Sequence, residues 1–240
     1  MKPVRLAPPF WRHDAYTLRR LADAVSAAAR SELASPAGDG APPCVVDLGA
    51  GDAPYRVLFE ERGARYVACD IGVPEGGPAV RIEPGRPLPL PDASARLVVS
   101  FQVLEHVWDL DWYLGEARRL LAPDGRLLLS THGTWLYHPH PTDFRRWTRP
   151  GLLAELQLRG LEPISVRSLV GPLAWTTQFR AFGWHRVLTA VPLLGPMLAA
   201  VSNSLHHLRM TIEDAITPQP WIDDNAAMYL VLAQRSDSTS

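Results

Sequence analysis

Cys44-Val-Val-Asp-Leu-Gly-Ala-Gly-Asp-Ala-Pro54 is the stretch on which the fold turns. A short, mostly apolar run passes directly into two glycines one residue apart. That is the pattern of a strand buried on both faces and closed by a tight turn. After it, Ala53–Arg62 reads as a helix and Arg65–Cys69 as a second strand ending at Asp70. Val80–Ile82 is a weak third strand, Pro84 to Asp92 a proline-rich loop, and Leu97–Phe101 a fourth strand. A helix at Leu110–Leu121, a turn at Pro123-Asp-Gly125, and a fifth strand at Arg126–Thr131 follow. Pro150–Arg159 continues as a helix, Ile164–Ser168 as a sixth strand, and Met228–Ala233 as the last. Regular β-α alternation predicts an α/β fold with a mostly parallel sheet covered on both faces.

Before this core, Trp11 to Leu33 carries apolar positions at helical spacing, and Ser35 to Pro43 reads as a Pro/Gly/Ala loop. Arg235 to Ser240 is a polar tail. The whole chain, 1–240, is read as a single domain: a helix at 11–33, a core at 43–170 and 226–235, and a helical insertion or lid at 171–225. Within the insertion, Val187–Val201 is apolar but broken by Pro192, Gly195 and Pro196, and so too short for a membrane span. It leaves helices packing on the domain, a lid, a homodimer contact, or an interfacial patch as open readings. If the protein touches a membrane at all, this segment is the expected place.

Composition bounds the function. The 240 residues are 47% hydrophobic and 20% charged, as in an ordinary globular protein. A net charge of −1 gives no basic field for nucleic acid, so none is expected as a partner. Two cysteines, Cys44 and Cys69, sit in strand-like runs and read as buried thiols, which favours a reducing, cytoplasmic setting. The first ten residues lack the apolar core of a signal peptide.

The glycine turn alone says only that a ligand approaches the backbone closely. Three details narrow it. Asp47 ends the first strand just before Gly49, Ala50 and Gly51, where a carboxylate would repel a pyrophosphate and suit a cationic amino group and a sulfonium. The third glycine of the dinucleotide fingerprint is absent, since position 54 is Pro54. Asp70 ends the second strand, where an acid accepts hydrogen bonds from ribose hydroxyls. The plain alternative is that Asp47 caps the helix opening near Ala53.

These residues carry a family resemblance. Val45 to Arg56 resembles motif I of class I S-adenosylmethionine-dependent methyltransferases. The resemblance continues through Leu88-Pro-Leu-Pro-Asp92, Leu97–Gln102, Val103-Leu-Glu-His-Val107, Glu116–Gly125 and Leu127–Thr131, covering about residues 43 to 170 in the family's order. It implies a Rossmann-like three-layer sandwich. Its sheet would have seven strands, mostly parallel, with an antiparallel last strand and the helical insertion before it. It implies S-adenosylmethionine as cofactor, with S-adenosylhomocysteine as product. Asp47 would face the methionine amino end. Gly49, Ala50 and Gly51 would line the methionine, Asp70 would hold the ribose, Ile71 would lie against the adenine, and Phe101 and Gln102 would face the sulfonium. Glu83 is the candidate for the adenine amine. The chain departs from the family after Ser94, with Ala95 and Arg96 in what reads as a surface turn. The Pro54-Tyr55-Arg56 ending and the stretch Thr131–Thr148 resemble a bacterial branch often associated with glycan and cell-envelope biosynthesis.

For transfer to a hydroxyl, a base is needed near the carboxyl ends of the strands, and histidine is suited to that near neutral pH. His138 and His140, with Asp143 as an orienting acid, are the first candidates, and His106 the second. His132, Trp135, Tyr137 and Arg146 are candidate substrate contacts, Arg146 within the basic group Arg145, Arg146 and Arg149. His138, His140 and Asp143 are also metal-ligand types, but their spacing fits no standard zinc pattern, and no metal is expected. The reading is therefore methyl transfer to a small-molecule or glycan-like acceptor. The rival is a fold that binds the cofactor but catalyses another reaction or serves as a partner subunit.

Overall fold

The computed structural model describes residues 5–34, 41–73 and 79–236. Most of the loop read at 35–43 and the end of the polar tail lie outside the described residues. Seven strands form one sheet: β1 (Cys44–Leu48), β2 (Arg65–Asp70), β3 (Val80–Arg81), β4 (Ala95–Phe101), β5 (Leu121–His132), β6 (Leu161–Leu169) and β7 (Met228–Arg235), in the order β3-β2-β1-β4-β5-β7-β6. β7 runs antiparallel between β5 and β6, and the pairings of β1 to β5 are all parallel.

The residues alternate between two cores. Val45, Leu97 and Val99 face one side with α1 (Ala15–Glu32), α2 (Arg56–Glu60) and α5 (Pro172–Thr189). Val46, Val98 and Leu127 face the other with α3 (Leu110–Leu120) and α4 (Arg149–Leu158). Both faces of the central strands are therefore dry, as runs such as Leu127-Leu-Leu129 require. Asp109 caps α3 by accepting from the Trp112 N–H, and Thr148 caps α4 by accepting from the Gly151 N–H.

Some boundaries differ from the sequence reading. The helix read at Ala53–Arg62 shrinks to α2, because Ala53 takes a left-handed φ of +48° ahead of Pro54 and the chain cannot wind there. Ala95 does not sit in a surface turn: it is buried and opens β4, while Arg96 pairs with Asp124 at 3.1 Å. β5 starts earlier than expected, with a register shift between Ala95 and Leu97 that absorbs the Pro123-Asp-Gly125 turn.

The insertion is α5, α6 (Gly195–Ile216) and α7 (Gln219–Asn225). α5 and α6 pack on each other and on the N-terminal helix. The Tyr16 hydroxyl donates to Asp214 (2.6 Å), and Gln178 and Asn203 donate to the carbonyls of His13 and Trp11. The exposed apolar surface extends beyond Val187–Val201. It runs along α6 through Leu205, Leu208, Ile212 and Ile216, one helical stripe. Among the described residues, no helix is long and apolar enough to cross a membrane.

Candidate active site

The site lies at the carboxyl ends of β1, β2, β4 and β5, where α/β sheets hold their ligands. Gly49 (φ +80°) and Gly51 (φ +54°) turn the chain away from β1 through conformations that an L side chain resists. A Cβ on Gly49 would lie 2.6 Å from the Val103 side chain, whereas one on Gly51 would meet nothing. One glycine thus closes the turn and the other leaves an open cradle above it. The Asp70 carboxylate grips this turn, accepting from the Gly51 N–H (2.8 Å) and the Gly72 N–H (2.9 Å). Each oxygen keeps a free lone pair for a hydroxyl. Ile71 beside it is an exposed apolar side chain.

Asp47 does not cap a helix. It is buried and accepts the hydroxyl of Tyr66. Burial pushes its carboxyl up to about 7, and Asp70 adds to this, against the opposing effects of the Tyr66 hydrogen bond and Arg56. A cation brought to the loop would favour the charged form. Gln102 leaves β4 with a φ of +58° and donates to the Ser130 hydroxyl (3.0 Å), while its Oε1 is buried with no partner. These features fit a ligand with a cationic end and a ribose: an open cradle, an acid awaiting a cation, and an orphaned acceptor. Phe101, read as facing the sulfonium, is buried with its ring against Tyr55 (4.9 Å between centroids) and Phe59. Glu83, the candidate for the adenine amine, pairs with Arg86 at 2.8 Å.

Beside this loop, the 3₁₀ turn Leu104–His106 and the stretch after β5 are stitched together. Phe144 N–H donates to the Glu105 carbonyl (2.8 Å), Trp147 N–H to the His132 carbonyl (3.1 Å), and Arg145 to the carbonyls of Val107 and Trp108. The result brings His106, His132, His138 and His140 together. The rings of His106 and His138 are 5.0 Å apart, those of His132 and His138 4.9 Å, and His140 lies 6.3 Å from His106.

The roles differ from the sequence reading. Asp143 does not chiefly orient His138. Its carboxylate takes two bonds from Arg146 (2.5 and 2.7 Å) and one from the His138 backbone N–H, and Arg146 holds its carboxyl well below the usual range. Arg146 also donates to the carbonyls of Trp135, Leu136 and Arg145, so its donors are engaged by the loop rather than free for a substrate. His132 and Trp135 are turned inward: Trp135 is sandwiched between the rings of His132 and Trp175, each 4.5 Å away. Tyr137 is 75% exposed. Burial, then the neighbouring His132, lowers the pKa of His138.

The residue the sequence reading passed over is Glu105. It is fully buried, and its Oε2 accepts from the Thr131 hydroxyl (2.8 Å). Its Oε1 stands 2.6 Å from His132 Nδ1 and 4.0 Å from His106 Nε2. Burial alone would raise its carboxyl, yet His132 and the surrounding donors outweigh that and hold it low. The only hint in the sequence is an acid directly before His106 in an apolar run. The partner that gives it meaning, His132, is contributed by a different strand.

Comparison with known proteins bears on family and fold. A methyltransferase-domain family model matches residues 10–187. A protein of Mycolicibacterium smegmatis named "Probable S-adenosylmethionine-dependent methyltransferase" is 45% identical over 103 residues, a stretch that spans 40% of each chain. Among solved structures, a [4+2]-cyclase superposes with a TM-score of 0.58 at 14% identity, over 92% of this chain and 83% of that one. A Burkholderia thailandensis 1,6-didemethyltoxoflavin-N1-methyltransferase, bound to 1,6-didemethyltoxoflavin and S-adenosylhomocysteine, superposes with a TM-score of 0.50 at 20% identity, over 93% and 85%. At these identities the likeness to solved structures is one of fold. With the family match and the loop chemistry together, the chain belongs to the methyltransferase-domain family, of the class I S-adenosylmethionine-dependent kind.

Proposed function

We propose that this protein methylates a hydroxyl oxygen of a small-molecule or glycan-like acceptor, with His106 taking the acceptor's proton. The tautomer of His106 carries the proposal. Its Nδ1 contacts the carbonyl of Thr142, and a carbonyl can only accept. The contact therefore calls for a proton on Nδ1, and in the neutral ring the lone pair is then on Nε2. His106, in the 3₁₀ turn after Gln102, is thus preferred as the base to His138 and His140. S-Adenosylmethionine supplies the methyl on a sulfonium that departs as a neutral thioether, so no protein group need activate the donor. Gly49, Ala50, Gly51, Asp47 and Asp70 would hold it. The remaining task of the protein is to position the hydroxyl and remove its proton. The loop from Trp135 to Trp147, pinned by Arg146, is rigid enough to form one wall of an acceptor pocket.

The test is incubation with methyl-labelled S-adenosylmethionine and a panel of hydroxylated small molecules and glycan fragments. A labelled ether is expected. Label on nitrogen or carbon, or product formed without label, overturns the reading; the second outcome would match the rival non-methylating reading, since the fold also houses a [4+2]-cyclase.

A further inference from the structure

We infer that Glu105, His132 and His138 form a binding site for one divalent cation of the zinc type. Three atoms lead to this: Glu105 Oε1, His132 Nδ1 and His138 Nδ1 are shut off from solvent, and none makes a hydrogen bond. Glu105 is 0% exposed and His132 3%. A ligand atom from each of the three residues lies within 4.8 Å of the other two. Glu105 Oε1 and His132 Nδ1 stand 2.6 Å apart as an ion pair. His138 is left over in any such pairing, since its Nδ1 comes no nearer than 3.4 Å to Asp143. An unmade buried polar group costs about 1–3 kcal/mol. One cation satisfies all three.

The donor set has the chemistry for it. Two imidazoles and a carboxylate are the ligands of open zinc sites, which keep a further position for water or a substrate oxygen. The outer support is in place as well. Thr131 donates to the second oxygen of Glu105, and the His138 backbone is held through Asp143 to Arg146. Sequence spacing conceals the site, because its ligands come from the 3₁₀ turn, the end of β5 and the loop beyond it. His140 and Asp143, the metal-ligand types visible in the sequence, are not members. The site's chemical use rests on the methyl-transfer reading: an acceptor hydroxyl at the open position would be acidified by the cation, and its proton would pass to His106 Nε2.

The experiment uses the full chain, stripped with EDTA. Zn(II) is titrated against a chromophoric chelator and Co(II) is followed by visible absorption, while S-adenosylhomocysteine binding is measured by calorimetry on the same preparation. One equivalent of Zn(II) and an intense Co(II) band are expected. Glu105→Gln and His138→Ala should each weaken Zn(II) about 100-fold or more, with S-adenosylhomocysteine affinity held. If Glu105→Gln fails to fold, His138→Ala, on a half-buried loop, decides. A protein that binds S-adenosylhomocysteine but no stoichiometric Zn(II), or a His138→Ala variant with undiminished Zn(II) affinity, overturns the metal site and leaves the methyl-transfer reading standing. Stoichiometric Zn(II) binding without S-adenosylhomocysteine binding supports the site and overturns the reading instead.

Discussion

The glycine loop and the histidine cluster occupy neighbouring strand ends, yet they are built in different ways. The loop is made of backbone: Gly49 and Gly51 in left-handed conformations, with Asp70 reaching back across the parallel pair β1–β2 to hold an N–H. Its members lie within 24 residues of one another in the chain, from Asp47 to Asp70. The histidine cluster is made of side chains from Glu105 to Asp143, and its order depends on a chain of contacts: Arg146 on Asp143, Asp143 on the His138 backbone, and Trp175 of the insertion on Trp135. A backbone-built site tolerates substitution of most side chains around it. A side-chain-built site is sensitive to each of them, and is free to differ between relatives.

Substitution in the cluster should cost the most activity. His106→Ala should lower turnover by about 10²–10⁴-fold, the usual worth of a general base, with S-adenosylhomocysteine affinity unchanged. Steady-state kinetics beside calorimetry reads this, and equal losses in both measurements would erase the distinction between the two regions. Next is the loop. Gly49→Ala places a methyl against the stiff, branched Val103 at an unfavourable φ, and should cost about 2–4 kcal/mol of stability in urea unfolding. A fully stable variant would show that the turn can be made without glycine.

A smaller effect is pH-dependent. The pKa of Asp47 is raised from 3.8 to about 7, so the native apo state holds a proton that the unfolded chain releases above about pH 4. This contribution to stability is fully present below 3.8 and is lost as pH rises through 7. Cofactor binding runs the opposite way, because the cationic amino end favours ionised Asp47. Affinity should therefore be full above pH 7 and fall by up to about tenfold per unit below it. Asp47→Asn should flatten both trends in thermal melts and calorimetry, and a wild-type affinity independent of pH between 5 and 8 would detach Asp47 from the cofactor. The smallest effect belongs to Tyr137. With its ring largely in solvent, Tyr137→Ala should change turnover by about twofold or less. A large loss would mean that the acceptor reaches further out along the loop than the histidine cluster.

Much of this architecture was legible in the order of residues. The seven strands and the glycine turn follow from local rules, apolar runs of strand length and glycines where the backbone must turn left-handed, whereas the antiparallel last strand came only with the family resemblance. The misreadings have local physical causes too. Ala53 and Pro54 delay α2, and Ala95 is drawn into the sheet because β4 pairs with the early part of β5. In the cluster, the histidines could be named one by one, but not their roles. Asp143 reads as an orienting acid in sequence because it lies near His138, yet in space Arg146 claims its carboxylate. Glu105 drew no role from the sequence, yet from the 3₁₀ turn it faces His132 at the end of β5.

The order of residues thus carries the α/β alternation and the glycine turn, because both rest on periodicity and on contacts between short, adjacent segments, and its motifs carry the resemblance that gives the family. It takes the folded chain to show that His106 Nδ1 meets the Thr142 carbonyl, that Arg146 is spent on its own loop, and that Glu105, His132 and His138 converge. Those depend on the directions of side chains that converge from a turn, a strand end and a loop, and nothing in their spacing along the chain encodes the angle at which they meet.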